Sequence, residues 1–289
     1  MSGGPDSLAL LLLAHAFKPG LIEAATVDHG LRAESAAEAA DVAHICKRLG
    51  VPHRTLQVRV ADGNLQDAAR NARYASLGAW ASERDLIAVA TAHHADDQAE
   101  TLLMRLNRAS GLRGLASIRA TNWTTEGATS IMIFRPLLLW RKAELERIVA
   151  DAGLTAAADP SNTDPRFDRA RVRKGLAAAD WLDPGALARS AAHLAEAESA
   201  INWAVGLEWD AEVREAGDGF AYRPTEAPTV VRLRILERMI AFAGGNPPRG
   251  GELAALEARL RPGGKATLGG TIVEVKRGEW TVRLEPGRR

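Results

Sequence analysis

The chain has 289 residues, too many for one minimal domain and suited to one large unit with one or two small ones. With 46% hydrophobic and 25% charged residues it can bury a sizeable core, which excludes a disordered chain. A net charge of +1 favours no class of partner, and a single cysteine, Cys46, excludes an internal disulfide, a Cys-x-x-Cys pair and a thiolate zinc site.

The chain opens on Ser2-Gly3-Gly4-Pro5-Asp6-Ser7, which runs into a helical stretch from Leu8 to Phe17. That stretch is interrupted by His15, is far too short to span a membrane, and follows an acidic glycine turn rather than a basic leader. A cytoplasmic protein is expected. Leu21 to Val27 reads as a buried strand, and Ala33 to Leu49 as a helix ending in Lys47-Arg48 and stopped by Gly50. Cys46, on this helix, reads as a small buried apolar residue. Val51 to Val58 is a second strand, Asn64 to Arg84 a long helix with Asn64 as its cap, and Leu86 to Thr91 a third strand. A helix from Ala95 to Arg108, a short strand from Ile131 to Phe134 and a helix from Lys142 to Ala152 complete the alternation. Strands that are nearly continuous in apolar residues, alternating with helices, predict a doubly wound α/β fold with a parallel sheet covered on both faces.

Beyond about residue 180 the texture changes. Pro184 to Glu215, Pro228 to Ala243 and Gly251 to Leu260 read as helices, and Thr267 to Leu284 as a hairpin turning at Arg277-Gly278. Breaks at Asp183-Pro184-Gly185 and at Gly244 to Pro248 suggest domains over 1–180, 181–245 and 246–289. Charge is local: Arg166, Arg169, Arg171, Arg173 and Lys174 surround only Asp168, and Arg259 to Arg289 carries eight basic and three acidic residues. Such excesses suit a polyanion, or simply a solvated face.

The first loop carries the most chemistry. Gly3 and Gly4 let a backbone approach a ligand closely, the helix start offers unpaired N–H groups at its positive end, and Ser2 and Ser7 add hydroxyl donors. Asp6 would repel a phosphate unless a divalent cation lay between them, which implies Mg²⁺. Gly-Lys-Ser/Thr is absent, so this is not a Walker A loop. A plain Gly-Pro turn is the bland alternative. The second block is Thr91-Ala92-His93-His94-Ala95-Asp96-Asp97-Gln98-Ala99-Glu100-Thr101, which follows a strand and opens a helix. Asp97 and Glu100 are three apart, hence on one helical face, and together would attract Mg²⁺ or an ammonium. His-His-x-Asp could instead hold a transition metal, or the carboxylates could merely favour a helix start.

The loop matches the SGGxDS loop of the PP-loop ATP pyrophosphatase superfamily, and the order of further blocks resembles the tRNA(Ile)-lysidine synthases. Those blocks are Val27 to Arg32, Asn64-Leu65-Gln66 with Ala69-Arg70 and Arg73-Tyr74, Thr91 to Thr101, Arg135-Pro136-Leu137, Asp159 to Asn162, and Phe167 to Arg173. The resemblance implies a ligase that uses ATP and Mg²⁺ to join L-lysine to the wobble cytidine of the CAU anticodon of tRNA(Ile), through an adenylated tRNA. It implies that Ser2 to Ser7 bind ATP, that Asp6 and His93 act in catalysis beside the nucleotide, and that Asp97 and Glu100 hold lysine. Arg169, Arg171 and Arg173 then become candidates for tRNA contact, although the family usually has Asn where this chain has Ala170. The family's catalytic domain would span 1–180, with a tRNA-binding helical domain and a β tail behind it. A PP-loop tRNA 2-thiolating enzyme and a nucleotide- or RNA-binding protein without turnover remain as alternatives. The strand that leads into the loop in the family has no counterpart here. It is usually central to the sheet, so its loss would expose apolar surface, and a misassigned start is expected.

Overall fold

The computed structural model describes residues 1–28, 35–58, 65–126, 129–157, 168–224, 226–248 and 251–287. The chain divides into two compact units, Met1–His193 and Leu194–Arg289.

The first unit alternates helices and strands in the expected order. It runs α1 (Pro5–Phe17), β1 (Ala24–Asp28), α2 (Ser35–Leu49), β2 (His53–Gln57), α3 (Leu65–Glu83), β3 (Ala88–Ala90) and α4 (Ala95–Leu106). A short α5 (Leu112–Leu115), β4 (Thr121–Glu126), β5 (Thr129–Phe134), α6 (Lys142–Asp151) and α7 (Asp168–Ala178) follow. β1 pairs with β2 in parallel, Ala24 against His53 through Asp28 against Gln57. β3 pairs in parallel with β5, and β4 adds an antiparallel edge to β5. β4 is polar along its length (Thr-Asn-Trp-Thr-Thr-Glu), so no apolar run announces it in the sequence. A polar strand suits an edge, where one side has no sheet neighbour.

Successive residues of a strand point to opposite faces, and β1 uses both. Ala25 packs with Tyr74, Leu77 and Trp80 of α3 and with Val89 of β3, while Ala24 packs with Leu11 of α1 and with Val42 and Cys46 of α2. Leu8 and Leu10 of α1 pack with Leu145 and Val149 of α6. Helices on both faces explain why β1 and β3 carry few polar residues.

The second unit departs from a helical region with a β tail. The long helix α8 (Pro184–Glu212) ends three residues earlier than the sequence pattern suggests, and its C-terminal half belongs to this unit. β6 (Val213–Ala216) and β7 (Gly219–Tyr222) follow, then α9 (Thr229–Phe242), α10 (Glu252–Leu260), β8 (Gly264–Leu268), β9 (Thr271–Lys276) and β10 (Glu279–Leu284). The strands form one five-stranded antiparallel sheet in the order β6-β7-β10-β9-β8. Gly219 is required there, since a Cβ would come within 2.0 Å of the Val282 carbonyl oxygen. The hairpin turning at Arg277-Gly278 forms as the sequence predicts, with both residues at positive φ, the geometry of a type I′ turn. α9, α10 and this sheet share one core around Ile235, Met239, Leu256 and Val273, on either side of residue 245. The division between units falls within α8 rather than near residue 180. Asp183 accepts from the Gly185 and Ala186 N–H groups, so the Asp-Pro-Gly break starts a helix instead of a linker.

Candidate active site

Gly4 is the N-cap of α1 and Pro5 its first residue, so Asp6 and Ser7 carry the first amide N–H groups that the helix leaves unpaired. Gly3 adopts φ +75°, a conformation that favours glycine, and its carbonyl accepts from the Ala157 N–H at 2.9 Å. Ser7 Oγ donates to the Gly4 carbonyl at 3.0 Å and lies 3.2 Å from Ser2 Oγ. The loop thus gathers two hydroxyls and a positive helix end around one point, as a phosphate requires. Asp6 Oδ1 is buried and finds no hydrogen-bond donor among the described residues.

The Thr91–Thr101 block lies where β3 ends and α4 begins, at the C-terminal edge of the parallel strands, the place where open α/β sheets bind ligands. His94 is buried at the start of α4, and its ring faces three carboxylates. Nε2 lies 3.6 Å from Asp6 Oδ2 and 3.5 Å from Asp97 Oδ2, and Nδ1 lies 3.6 Å from Asp96 Oδ2. These are ion-pair separations, longer than good hydrogen bonds. Burial opposes the charge on His94, but Asp6, Asp96 and Asp97 outweigh it and raise the ring's pKa to about 9. The His94 backbone N–H also donates to Asp97 Oδ2 at 3.1 Å. Behind the ring, Asp96 is held by the Arg141 guanidinium at 3.2 and 3.4 Å and by the Lys142 N–H at 2.8 Å. Burial would raise the Asp96 pKa, yet His94, the Lys142 N–H and Arg141 hold its carboxyl well below the usual carboxylate range.

His93 is in the opposite state. Burial pushes its pKa down to about 4, against the pull of Asp97 and with the help of Arg135, Arg169 and Arg70, so the ring is neutral at pH 7. Its Nδ1 lies 3.1 Å from Thr91 Oγ1. The two adjacent histidines are therefore shifted in opposite directions, His93 downward chiefly by burial and His94 upward by the three carboxylates that outweigh its burial.

Glu100 is engaged by the chain itself. It is 1% exposed; Arg173 donates to it through Nε at 2.6 Å and Nη2 at 3.2 Å, and Arg169 Nε lies 3.4 Å away. Arg169 also donates to Thr101 Oγ1 at 3.2 Å. Arg171 turns to the exposed Asp168, which Arg108 also reaches at 2.8 Å. Asp6 and Asp97 thus meet around His94, Glu100 meets Arg169 and Arg173, and Arg171 stands apart from both groups. Among the described residues no three His, Cys, Asp or Glu side chains are grouped to hold a metal ion by themselves. His29 to Arg32, Asn64, Asp159 to Asn162, Arg166 and Phe167 lie outside the described residues.

Sequence reasoning left Arg141 without a role and gave His94 and Asp96 only the alternative of a His-His-x-Asp metal set; the doubled histidine followed by two aspartates was the signal that could have found their pairing. Arg141 lies 45 residues from Asp96, and nothing local connects them. Arg135, buried and donating to the Arg119 carbonyl at 2.8 Å, ties the Arg135-Pro136-Leu137 block to the strand edge. No helix among the described residues is long and apolar enough to cross a membrane.

Residues 1–179 match the family model described as the PP-loop domain. A tRNA(Ile)-lysidine synthase from Novosphingobium aromaticivorans is 49% identical over 291 residues, covering 100% of this chain and 89% of that protein. Those of Zymomonas mobilis subsp. mobilis and Ruegeria pomeroyi are 42% and 41% identical, each over 94% of this chain and over 83% and 67% of their own lengths. Among solved structures, the U34-tRNA thiolase NcsA of Methanococcus maripaludis, with its [4Fe-4S] cluster, superposes with a TM-score of 0.54 over 67% of each chain. At 16% identity this likeness shows the fold alone. With a PP-loop match over most of its length and relatives of this similarity and coverage, the chain belongs to the tRNA(Ile)-lysidine synthase family.

Proposed function

We propose that this chain joins L-lysine to C2 of the wobble cytidine in the CAU anticodon of tRNA(Ile), converting ATP to AMP and pyrophosphate. The observation that carries the reading is the meeting of the phosphate loop and the α4 carboxylates around His94, which supports neighbouring sites for ATP and for an amine. Ser2 to Ser7 bind the ATP phosphates. The cytidine C2 oxygen attacks the α-phosphorus, the bond to the pyrophosphate oxygen breaks, and adenylated tRNA forms. The lysine ε-amine then attacks C2, and AMP leaves with the former carbonyl oxygen. The protein's part is to position and to neutralise charge.

Asp6 fits a magnesium ion, since its buried Oδ1 finds no donor among the described residues and Mg²⁺ commonly takes one or two carboxylates plus substrate phosphates. Bound there, the ion would offset charge on the departing pyrophosphate. Asp97 supplies the carboxylate for the lysine ammonium, with Glu100 behind it on the same helix. Before it attacks, the ε-amine must lose a proton. His93, Asp97 and Glu100 are the candidate acceptors; Nδ1 of His93 faces Thr91, which leaves its Nε2 to accept. Arg171, exposed on α7, is left to face the tRNA, while Arg169 and Arg173 turn to Glu100. A thiolating reaction is disfavoured because the sole cysteine, Cys46, is fully buried in the α1–α2 core.

The test is nucleoside analysis of tRNA(Ile) transcript after incubation with the protein, ATP, Mg²⁺ and lysine. Lysidine is expected; 2-thiocytidine or unchanged cytidine overturns the reading.

A further inference from the structure

Two elements distant in sequence end on one imidazole. The phosphate loop places Asp6 Oδ2 3.6 Å from His94 Nε2, and α4 places Asp97 Oδ2 3.5 Å from the same nitrogen. The opposite ring nitrogen faces Asp96, which Arg141 and the Lys142 N–H fix from the N-terminus of α6. Asp96 thus faces the ring from behind at ion-pair distance, and the opposite edge of the ring faces two carboxylates that would otherwise repel each other. At 2% exposure, His94 has little water around it to screen that repulsion. Its own backbone N–H donates to Asp97 Oδ2, a bond that a side-chain substitution at His94 leaves in place.

We propose that His94 is a positioning residue that sets the Asp97 carboxylate against the Asp6 carboxylate and so couples the lysine subsite to the ATP subsite. The inference rests on the assignment of Asp6 to ATP and Asp97 to lysine. His94 touches neither ligand; it fixes the distance between the groups that do. Binding of ATP at the loop restrains Asp6, the ring transmits that restraint to Asp97, and lysine meets a carboxylate already in place. By linkage, lysine must strengthen ATP binding by the same factor.

Calorimetry on the whole chain tests this, with lysine titrated in the presence and absence of α,β-methylene ATP and Mg²⁺. In the wild type, the analogue should tighten lysine binding by about tenfold, within the usual range for coupled sites. His94→Leu should reduce that factor to below about twofold, and His94→Gln, which keeps an N–H near the place of Nε2, should retain most of it. An unchanged factor in His94→Leu, or no coupling in the wild type, overturns the proposal. Should the leucine variant fail to fold, Asp96→Asn decides, since it loosens the ring from behind without touching either subsite. An undiminished factor there also overturns it. A merely structural role would lower the melting temperature and leave the factor intact. If the wild type makes lysidine and shows no coupling, only the role of His94 fails; if it neither binds lysine nor makes lysidine, the functional reading fails with it.

Discussion

Replacing Glu100 with Gln removes a buried charge that two arginines from another helix neutralise. The Glu100 side chain is 2% exposed, whereas those of Arg173 and Arg169 are 35% and 47% exposed. Removing one partner of a fully buried ion pair costs about 3–5 kcal/mol, because the other is left uncompensated. Here the arginines can turn part of their charge to water, so the loss should fall near 2–3 kcal/mol. At about 2–4 °C per kcal/mol for a unit of this size, the melting temperature should drop by roughly 5–10 °C. Arg173→Gln alone should cost less, because it leaves Glu100 with Arg169, and the double variant should lose less than the two single losses together. Such non-additivity, of about 1 kcal/mol or more, marks a direct interaction. Differential scanning calorimetry on the four proteins measures all of these quantities. The lysine Michaelis constant should rise as well, since α7 would no longer hold the carboxylate face of α4. A Glu100→Gln protein that melts within 1 °C of the wild type while losing lysine affinity would refute this reasoning. Glu100 would then be a substrate ligand and no part of the contact between α4 and α7.

Asp6→Asn should slow ATP-dependent pyrophosphate release by about a hundredfold while tRNA binding, followed by filter retention, stays nearly unchanged; undiminished turnover would remove Asp6 from the ATP subsite. Asp97→Asn should raise the lysine Michaelis constant by about a hundredfold yet leave a single-turnover pyrophosphate burst with tRNA intact. If the burst disappears and extra Mg²⁺ restores it, Asp97 serves the metal instead. Arg171→Ala should change the melting temperature little, because its pair with Asp168 is exposed, but should reduce the log–log salt slope of tRNA binding by about one unit. An unaltered slope would make it a solvated surface charge.

What could be read from the sequence was chemistry written in consecutive residues. The Ser2–Ser7 loop runs directly into a helix, so its hydroxyls and free N–H groups share one end whatever the rest of the chain does. The strand–helix order through α6 and the turn at Arg277-Gly278 were legible for the same reason: hydrophobic period and turn chemistry act over a few residues. Tertiary structure alone decided which charges meet. Asp97 and Glu100 lie on one helical face in the sequence pattern, yet Asp97 turns to His94 and Asp6, and Glu100 to Arg169 and Arg173. Arg173 lies 73 residues from Glu100, and Arg141 lies 45 from Asp96. The same holds for β4, a polar strand that exists because β5 offers it an edge, and for β6, where the end of a helical pattern leaves the helix to pair with β7, itself held by β10. A carboxylate shows in the sequence that it needs a partner. Which cation it receives is set by packing between distant segments, and a buried charge forces that choice because an unpaired one is too costly to leave in the core.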